Sequence, residues 1–176
     1  MNQHQKIFKL ASLFLQYPDK EWVDNGDLEQ EVSCLENQLV RECYLQFLKY
    51  VQHTPLEKLC ETYVQTFDFS DKTTLYLTYN IFGDNRERGQ AFLKLKEEFA
   101  NAGFPLEDDE LPDYLPLVLE FASIARTEHS QRIFMIHKKG IDKLLAGLEE
   151  DNNPYQWVLR GCIRGIDSLL KKTKAS

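Results

Sequence analysis

Thr73-Thr74-Leu75-Tyr76-Leu77-Thr78-Tyr79-Asn80-Ile81-Phe82 is the stretch on which the fold class turns. Its threonines, tyrosines and isoleucine favour an extended strand by propensity. Leu75, Tyr79 and Phe82 also fall on one helical face. No second strand-like segment is present to pair with it, and a lone strand leaves its backbone groups without partners. The sequence therefore predicts a helix here and an all-α fold.

Helical signals continue on both sides. Gly83 fits a C-terminal cap, and Asp84-Asn85-Arg86-Glu87 reads as a capping box. The helix it opens runs through Phe92, Leu93, Leu95 and Phe99 and stops at Ala102-Gly103-Phe104-Pro105. Upstream, Thr54-Pro55-Leu56-Glu57 is a second box, opening a helix striped by Leu59, Cys60, Tyr63, Val64 and Phe67. Asp27 is placed to cap a long helix from Leu28 to Val51, and an earlier one, Ile7 to Tyr17, ends at Pro18. Downstream, Asp113 is expected to cap a helix over Tyr114 to Arg126, with Pro116 in its first turn. Another helix follows from about Ser130 to Glu149, and the last begins at Asn153-Pro154. The expectation is one globular helical bundle of about eight helices over 1–176, with blocks 7–103 and 113–172 joined by a connector, 104–112.

That connector carries Glu107-Asp108-Asp109-Glu110-Leu111-Pro112-Asp113-Tyr114-Leu115-Pro116. Pro112 removes a backbone donor and pushes Leu111 toward an extended conformation, so the stretch is not a helix interior. Calcium binding is disfavoured because the EF-hand ligand spacing and its turn glycine are missing. A solvated loop is the plain reading of so many charges.

The chain of 176 residues is 43% hydrophobic and 12% aromatic, which excludes disorder. Lys and Arg number 21 against 28 for Asp and Glu, for a net charge of −7. That sign disfavours nucleic acid and direct membrane insertion or anionic membrane binding, and suits a basic client. Cys34, Cys43, Cys60 and Cys162 form no C-x-x-C and have no nearby histidine, so they read as small core residues with free thiols in a cytoplasmic protein. No secretory signal or uncharged span of membrane length is apparent.

The motifs of catalysis are missing: no H-E-x-x-H, no G-x-S-x-G, no P-loop. His129 and His137, eight residues apart, have no carboxylate or cysteine between them at i+4, so one exposed and one half-buried histidine is expected rather than a metal pair. Gly161 and Gly165 form a G-x-x-x-G that suits close helix packing better than a ligand. The sequence implies no enzyme, no metal and no cofactor. One cluster interleaves aromatics, arginines and acids: Tyr63, Phe67 and Asp68, then Tyr76 and Tyr79, then Arg86 and Arg88. Stacking and ion pairs among such residues can fix a groove between helices.

Read in order, Phe67-Asp68, Leu75-Tyr76-Leu77, Gly83-Asp84-x-Arg86-x-Arg88-Gly89, Ala102-Gly103 and Glu110-Leu111-Pro112-Asp113-x-Leu115-Pro116 with Leu119-Glu120-Phe121 resemble the nitrate reductase delta subunit family. This is the NarJ-type branch of the NarJ/TorD/DmsD redox-enzyme maturation chaperones, and the likeness spans roughly Leu10 to Ala125. The resemblance implies a non-enzymatic, cytoplasmic helical chaperone. Its implied partner is the apo catalytic subunit of a respiratory nitrate reductase, bound in part through an N-terminal leader-like peptide. The chaperone would hold that subunit for molybdenum cofactor insertion before membrane attachment, with cofactor biosynthesis proteins as further partners. Another molybdoenzyme client, or a generic helical scaffold, is the alternative. The family's Glu-x-Pro-Asp-His maps onto Glu110, Pro112, Asp113 and Tyr114, with a phenol in place of the imidazole. A phenol keeps the hydrogen bond but does not titrate near neutral pH.

The expected site therefore comprises Phe67, Asp68, Tyr76, Tyr79, Arg86, Arg88, Glu110, Pro112, Asp113 and Tyr114. An amphipathic client helix would lie against Phe67, Tyr76 and Tyr79. Connector acids would meet a basic client residue, and Arg86 and Arg88 would pair with Asp68 or Asp113.

Overall fold

Helix α1 (Gln3–Phe14) starts on a true capping box: the Asn2 side chain accepts from Gln5 N while the Gln5 side chain accepts from Asn2 N. The computed structural model describes residues 1–107 and 111–171. Among these, α1 is followed by α2 (Lys20–Val23), α3 (Leu28–Ser33), α4 (Gln38–Gln52), α5 (Leu56–Phe67) and α6 (Tyr79–Phe82). The rest are α7 (Glu87–Asn101), α8 (Leu115–Ile124), α9 (Thr127–Glu150) and α10 (Gln156–Lys171). The all-α expectation holds. The described residues contain ten helices rather than about eight because a single turn, α2, is added and one expected helix is split into α3 and α4.

Apolar packing joins the two ends of the chain. Helix α1 packs against α8 and α10, and α10 also covers α4 and α9. Gly161 and Gly165 allow this approach. A Cβ at Gly161 would stand 2.4 Å from the Tyr44 ring, and one at Gly165 would stand 2.8 Å from Ile7. The G-x-x-x-G is thus a packing surface, as its sequence suggested. Phe14 sits among Trp22, Tyr44 and Phe47, while Tyr155 gathers Phe47, Tyr63 and Phe67. The buried phenols stay bonded: Tyr44 donates to Ile7 O and Tyr63 to Leu15 O.

Several boundaries differ from expectation for local reasons. The long helix predicted from Asp27 breaks at residues 34–37, and Asn37 restarts it by accepting from Val40 N. Asp27 itself is helical and caps nothing through its side chain. Thr54 turns back to donate to Tyr50 O, leaving Pro55 at the N-cap of α5. Arg86 holds that position for α7, so neither predicted capping box forms. Gly103, at φ 87°, ends α7 in a conformation that suits glycine. Cys43 and Cys162 lie in the core, Cys60 is half-buried and Cys34 is exposed, all as free thiols. Cys34 therefore departs from the expected core role because it sits at the break between α3 and α4.

Candidate functional site

The stretch that decided the fold class is only partly helical. Its last four residues form α6, but Leu75–Leu77 is not helical and meets the stretch that follows the connector. Leu77 N donates to Asp113 O at 3.0 Å, and Leu115 N donates to Leu75 O at 2.9 Å. Between them Tyr76 and Tyr114 form an isolated antiparallel bridge. Strand propensity thus had a real object: a clip whose second arm is a proline-flanked acidic segment. Burial alternates along the first arm. Leu75 and Leu77 are buried, while Tyr76 is 38% exposed and faces Tyr114 with ring centroids 5.3 Å apart.

Two glycines of α9 seat this clip. A Cβ at Gly140 would come within 2.8 Å of Leu77 O, and one at Gly147 within 3.1 Å of Lys72 O. Seven residues apart, they lie on one face of α9 and let the backbone of residues 72–77 cross it closely. Sequence reading passed over this pair, whose spacing of two turns was the available signal.

Asp113 locks the clip, but not as the expected helix cap. Helix α8 has Tyr114 at its N-cap with no side-chain bond, and the Asp113 carboxylate turns the other way. It is fully buried, and its Oδ2 accepts from Thr78 N at 3.1 Å and from Thr78 Oγ1 at 2.5 Å. Arg88 Nη2 lies 3.8 Å from the same oxygen, and Arg88 Nε donates to Thr78 Oγ1 at 3.1 Å. The guanidinium stands over Tyr79 at 5.4 Å and Phe92 at 5.0 Å, giving a cation between two rings. A buried carboxylate is tolerable only with such partners. Of the pairings expected, Arg88 with Asp113 forms.

Other expected site residues are scattered. Phe67 is buried against Tyr63 and Tyr155, so it shapes the core beneath the site and offers no free face to a client. Asp68 is exposed at the C-cap of α5, and neither it nor exposed Arg86 makes an ion pair among the described residues. Tyr79 is half-buried under Arg88, and the Asp71 and Asp84 carboxylates push its phenol above the ordinary value. Burial, with Tyr114 and Asp113 beside it, raises Tyr76 in the same direction. Burial raises Tyr63 far above the phenol range, with Tyr114 adding to the shift. Glu110 lies outside the described residues.

Pro112 is buried, and the His137 ring lies beside its backbone. That histidine is 3% exposed rather than half-buried, and burial lowers its pKa to about 4. His129 instead sits near the surface, 2.6 Å from Arg132 Nη2. The two histidines therefore lie in separate surroundings. Among the described residues no group of three or more His, Cys, Asp or Glu could hold a metal ion, and no helix is long and apolar enough to cross a membrane.

The clip has a groove on either flank. One, about 450 Å³, is lined by Tyr76, Leu111, Tyr114, Pro116 and Leu117, with Gln16 and Glu120 at its polar edge. The other, about 510 Å³, lies among α6, α7 and α9. What the arrangement offers beside these grooves is apolar, partly aromatic surface.

Comparison with known proteins agrees. The profile of the family described as nitrate reductase delta subunit matches residues 35–158. The probable nitrate reductase molybdenum cofactor assembly chaperone NarJ of Bacillus subtilis (strain 168) is 36% identical over 94% of this chain and 90% of its own. The nitrate reductase molybdenum cofactor assembly chaperone NarJ of Escherichia coli (strain K12) is 30% identical over 64% of this chain and 49% of its own. A crystal structure of a putative redox enzyme maturation protein from Archaeoglobus fulgidus superposes with a TM-score of 0.65, covering 97% of this chain and 93% of that one at 19% identity. The last likeness concerns the fold, whereas the first three concern descent. These relatives are assembly chaperones, not catalysts. A profile match over most of the chain, with a relative aligned nearly end to end, means that the chain belongs to the nitrate reductase delta subunit family.

Proposed function

We propose that this protein is a cytoplasmic, system-specific chaperone for the apo catalytic subunit of a respiratory nitrate reductase. It binds that subunit in part through its N-terminal leader-like peptide and keeps it competent for molybdenum cofactor insertion before membrane attachment. Proteins of cofactor biosynthesis meet the same complex. Family membership suggests the client class, and the observation that carries the site is the pair of exposed Tyr76 and half-buried Tyr114, fixed from behind by the Asp113–Thr78–Arg88 clamp.

Such a pair suits the apolar face of an amphipathic peptide. Tyrosine rings bring large contact area and lose little rotamer freedom on binding. Because the clamp sets the backbone of both arms, the rings need not be ordered by the client, which lowers the cost of association. Glu120 at the groove's edge, with connector acids nearby in sequence, gives a rim for a basic client residue, aiding encounter and orientation more than affinity. The direct roles fall to Tyr76, Tyr114 and Leu111, and the supporting roles to Asp113, Arg88, Tyr79 and Pro112.

Calorimetry of the client's N-terminal peptide against wild type, Tyr76→Ala and Asp113→Ala tests this reading. Tyr76→Ala should weaken binding about tenfold or more through lost contact area, a large aromatic truncation at an interface. Asp113→Ala should weaken it as well, by loosening the clip. Unchanged affinity in both variants, with circular dichroism showing both folded, overturns the site.

A further inference from the structure

The groove among α6, α7 and α9 differs from the Tyr76 groove in charge and shares none of its lining residues. Its walls are Leu77, Ile81, Phe82, Ala91 and Ile136, the last 44% exposed. Gly140 closes the floor by letting the backbone of Leu77 lie against α9. Glu87, Ala91 and Lys94 fall on one stripe of α7, and Ile136, Lys139 and Gly140 on one stripe of α9. The groove therefore follows α7 for about two turns. One turn beyond Lys94 and one turn before Ile136, Arg132 Nε donates to Glu98 Oε2 at 2.9 Å and ties the two helices together at that end.

Its two walls carry cations. Lys94 on α7 and Lys139 on α9 are both exposed, and neither makes an ion pair among the described residues. Lys143 follows Lys139 by one turn and donates to Asn80 O of α6 at 3.0 Å, which holds a third ammonium beside the same edge. Glu87 is the acid in the lining. The Tyr76 groove has the opposite balance, with Glu120 and no lysine or arginine among its described lining residues. On a chain of net charge −7, lysines around an apolar groove run against the prevailing sign. An apolar floor between cationic walls complements a segment whose apolar stripe is flanked by carboxylates, the pattern of an acidic amphipathic helix. We infer that the α6–α7–α9 groove docks an acidic amphipathic helix of a partner protein, its apolar stripe on Ile81, Phe82 and Ile136 and its carboxylates against Lys94 and Lys139. This assignment is independent of the reading of the Tyr76 groove, whose acidic edge suits a basic segment.

Three acetylated helical peptides test it by NMR titration of the isotope-labelled protein. One has a leucine stripe flanked by glutamates, one has the same stripe flanked by lysines, and one is the glutamate peptide with its leucines replaced by alanine. The leucine–glutamate peptide should bind about tenfold more tightly than the lysine peptide, the scale of two exposed ion pairs exchanged for like-charge contacts. It should exceed the alanine peptide by about tenfold or more, through apolar area removed from water. The amides of Ala91, Ile136 and Gly140 should shift, and those of Leu111 and Leu117 should stay. Lys94→Glu combined with Lys139→Glu, at exposed positions that leave the core untouched, should reverse the preference so that the lysine peptide binds more tightly. Equal affinity for the glutamate and lysine peptides, an unchanged preference in the charge-reversed protein, undiminished binding of the alanine peptide, or shifts at Leu111 and Leu117 instead would each overturn the assignment. Two other occupants have their own signatures. Groove amides that shift on dilution of the protein alone mean that a second copy covers this face, and groove amides that respond to phosphatidylglycerol vesicles and to no peptide mean a membrane surface. Either result also overturns it.

Discussion

Where α1, α4 and α10 meet, large rings and aliphatic chains interlock: Phe14, Tyr44 and Phe47 are fully buried, and Gly161 brings α10 onto the Tyr44 ring. Where α6, α7 and the clip meet, apolar packing is thin. Helix α6 buries none of its residues, and α7 buries only Leu95 and Phe99 of its own. What fixes this second region is a short polar chain, Arg88 to Thr78 to Asp113, and two backbone bonds between the clip's arms. The first region is stabilised by area removed from water and the second by a few buried hydrogen bonds, with Asp113 Oδ1 left without a partner. Both grooves border the second region. A scaffold held by area and a binding surface held by discrete bonds can open separately, and local opening is common where binding occurs.

Truncating the first region should have the largest effect. Phe14→Ala removes a ring in contact with three other aromatics and leaves a cavity, at a cost of about 4 kcal/mol. Its urea midpoint should fall far below wild type, with amide exchange rising across both regions alike. Asp113→Ala should cost about 3 kcal/mol, since the Thr78 amide and the Arg88 guanidinium lose a buried charged acceptor. Here the amides of Leu77 and Leu115 should exchange faster while those of α10 hold. A uniform rise instead would mean that the two regions unfold as one unit and would break the comparison.

His137 gives the contrast a pH dependence. Its folded pKa, about 4, lies below the ordinary 6.5, so the unfolded chain takes up a proton between these values and the native chain does not. Stability is complete above pH 6.5 and falls as pH drops toward 4, by about 2 kcal/mol at pH 5 from this residue alone. Urea melts at pH 7 and pH 5 measure it. The loss should shrink in His137→Gln, which does not titrate.

How legible each region was follows from what holds it. Periodicity and Gly161-x-x-x-Gly165 pointed to the packed scaffold because area burial leaves a repeating apolar signature. The clip left no such mark. Leu75-Tyr76-Leu77 showed strand propensity, but its partner contains Pro112 and Asp113, residues depleted in strands, so the pairing was invisible. Asp113 sits at the end of an acidic run and looked like a solvated charge or helix cap. Its burial depends on Thr78 and Arg88, neither of which its neighbours predict. Failed capping boxes at Thr54 and Asp84 make the same point, since a side chain with two possible bonds follows the local backbone rather than the motif. Of the residues expected at the candidate site, Tyr76, Arg88, Asp113 and Tyr114 lie together, whereas Phe67 is buried in the core beneath them.

Tyr114 separates support from contact at the smallest scale. Its ring faces Tyr76, and its phenol lies near that of Tyr63, whose own hydroxyl already donates to Leu15 O. Tyr114→Phe keeps the ring and removes only the hydroxyl, so stability should change by no more than about 0.5 kcal/mol, as for a half-exposed group with water available to its neighbours. If the Tyr76 groove acts through ring area, calorimetry with the client's N-terminal peptide should give an unchanged affinity. Tyr114→Ala, which removes the ring, should weaken binding several-fold. A loss in Tyr114→Phe comparable to that in Tyr114→Ala would make the hydroxyl itself the contact. The groove would then read its client through a polar bond, as the clip holds itself, rather than through area, as the scaffold does.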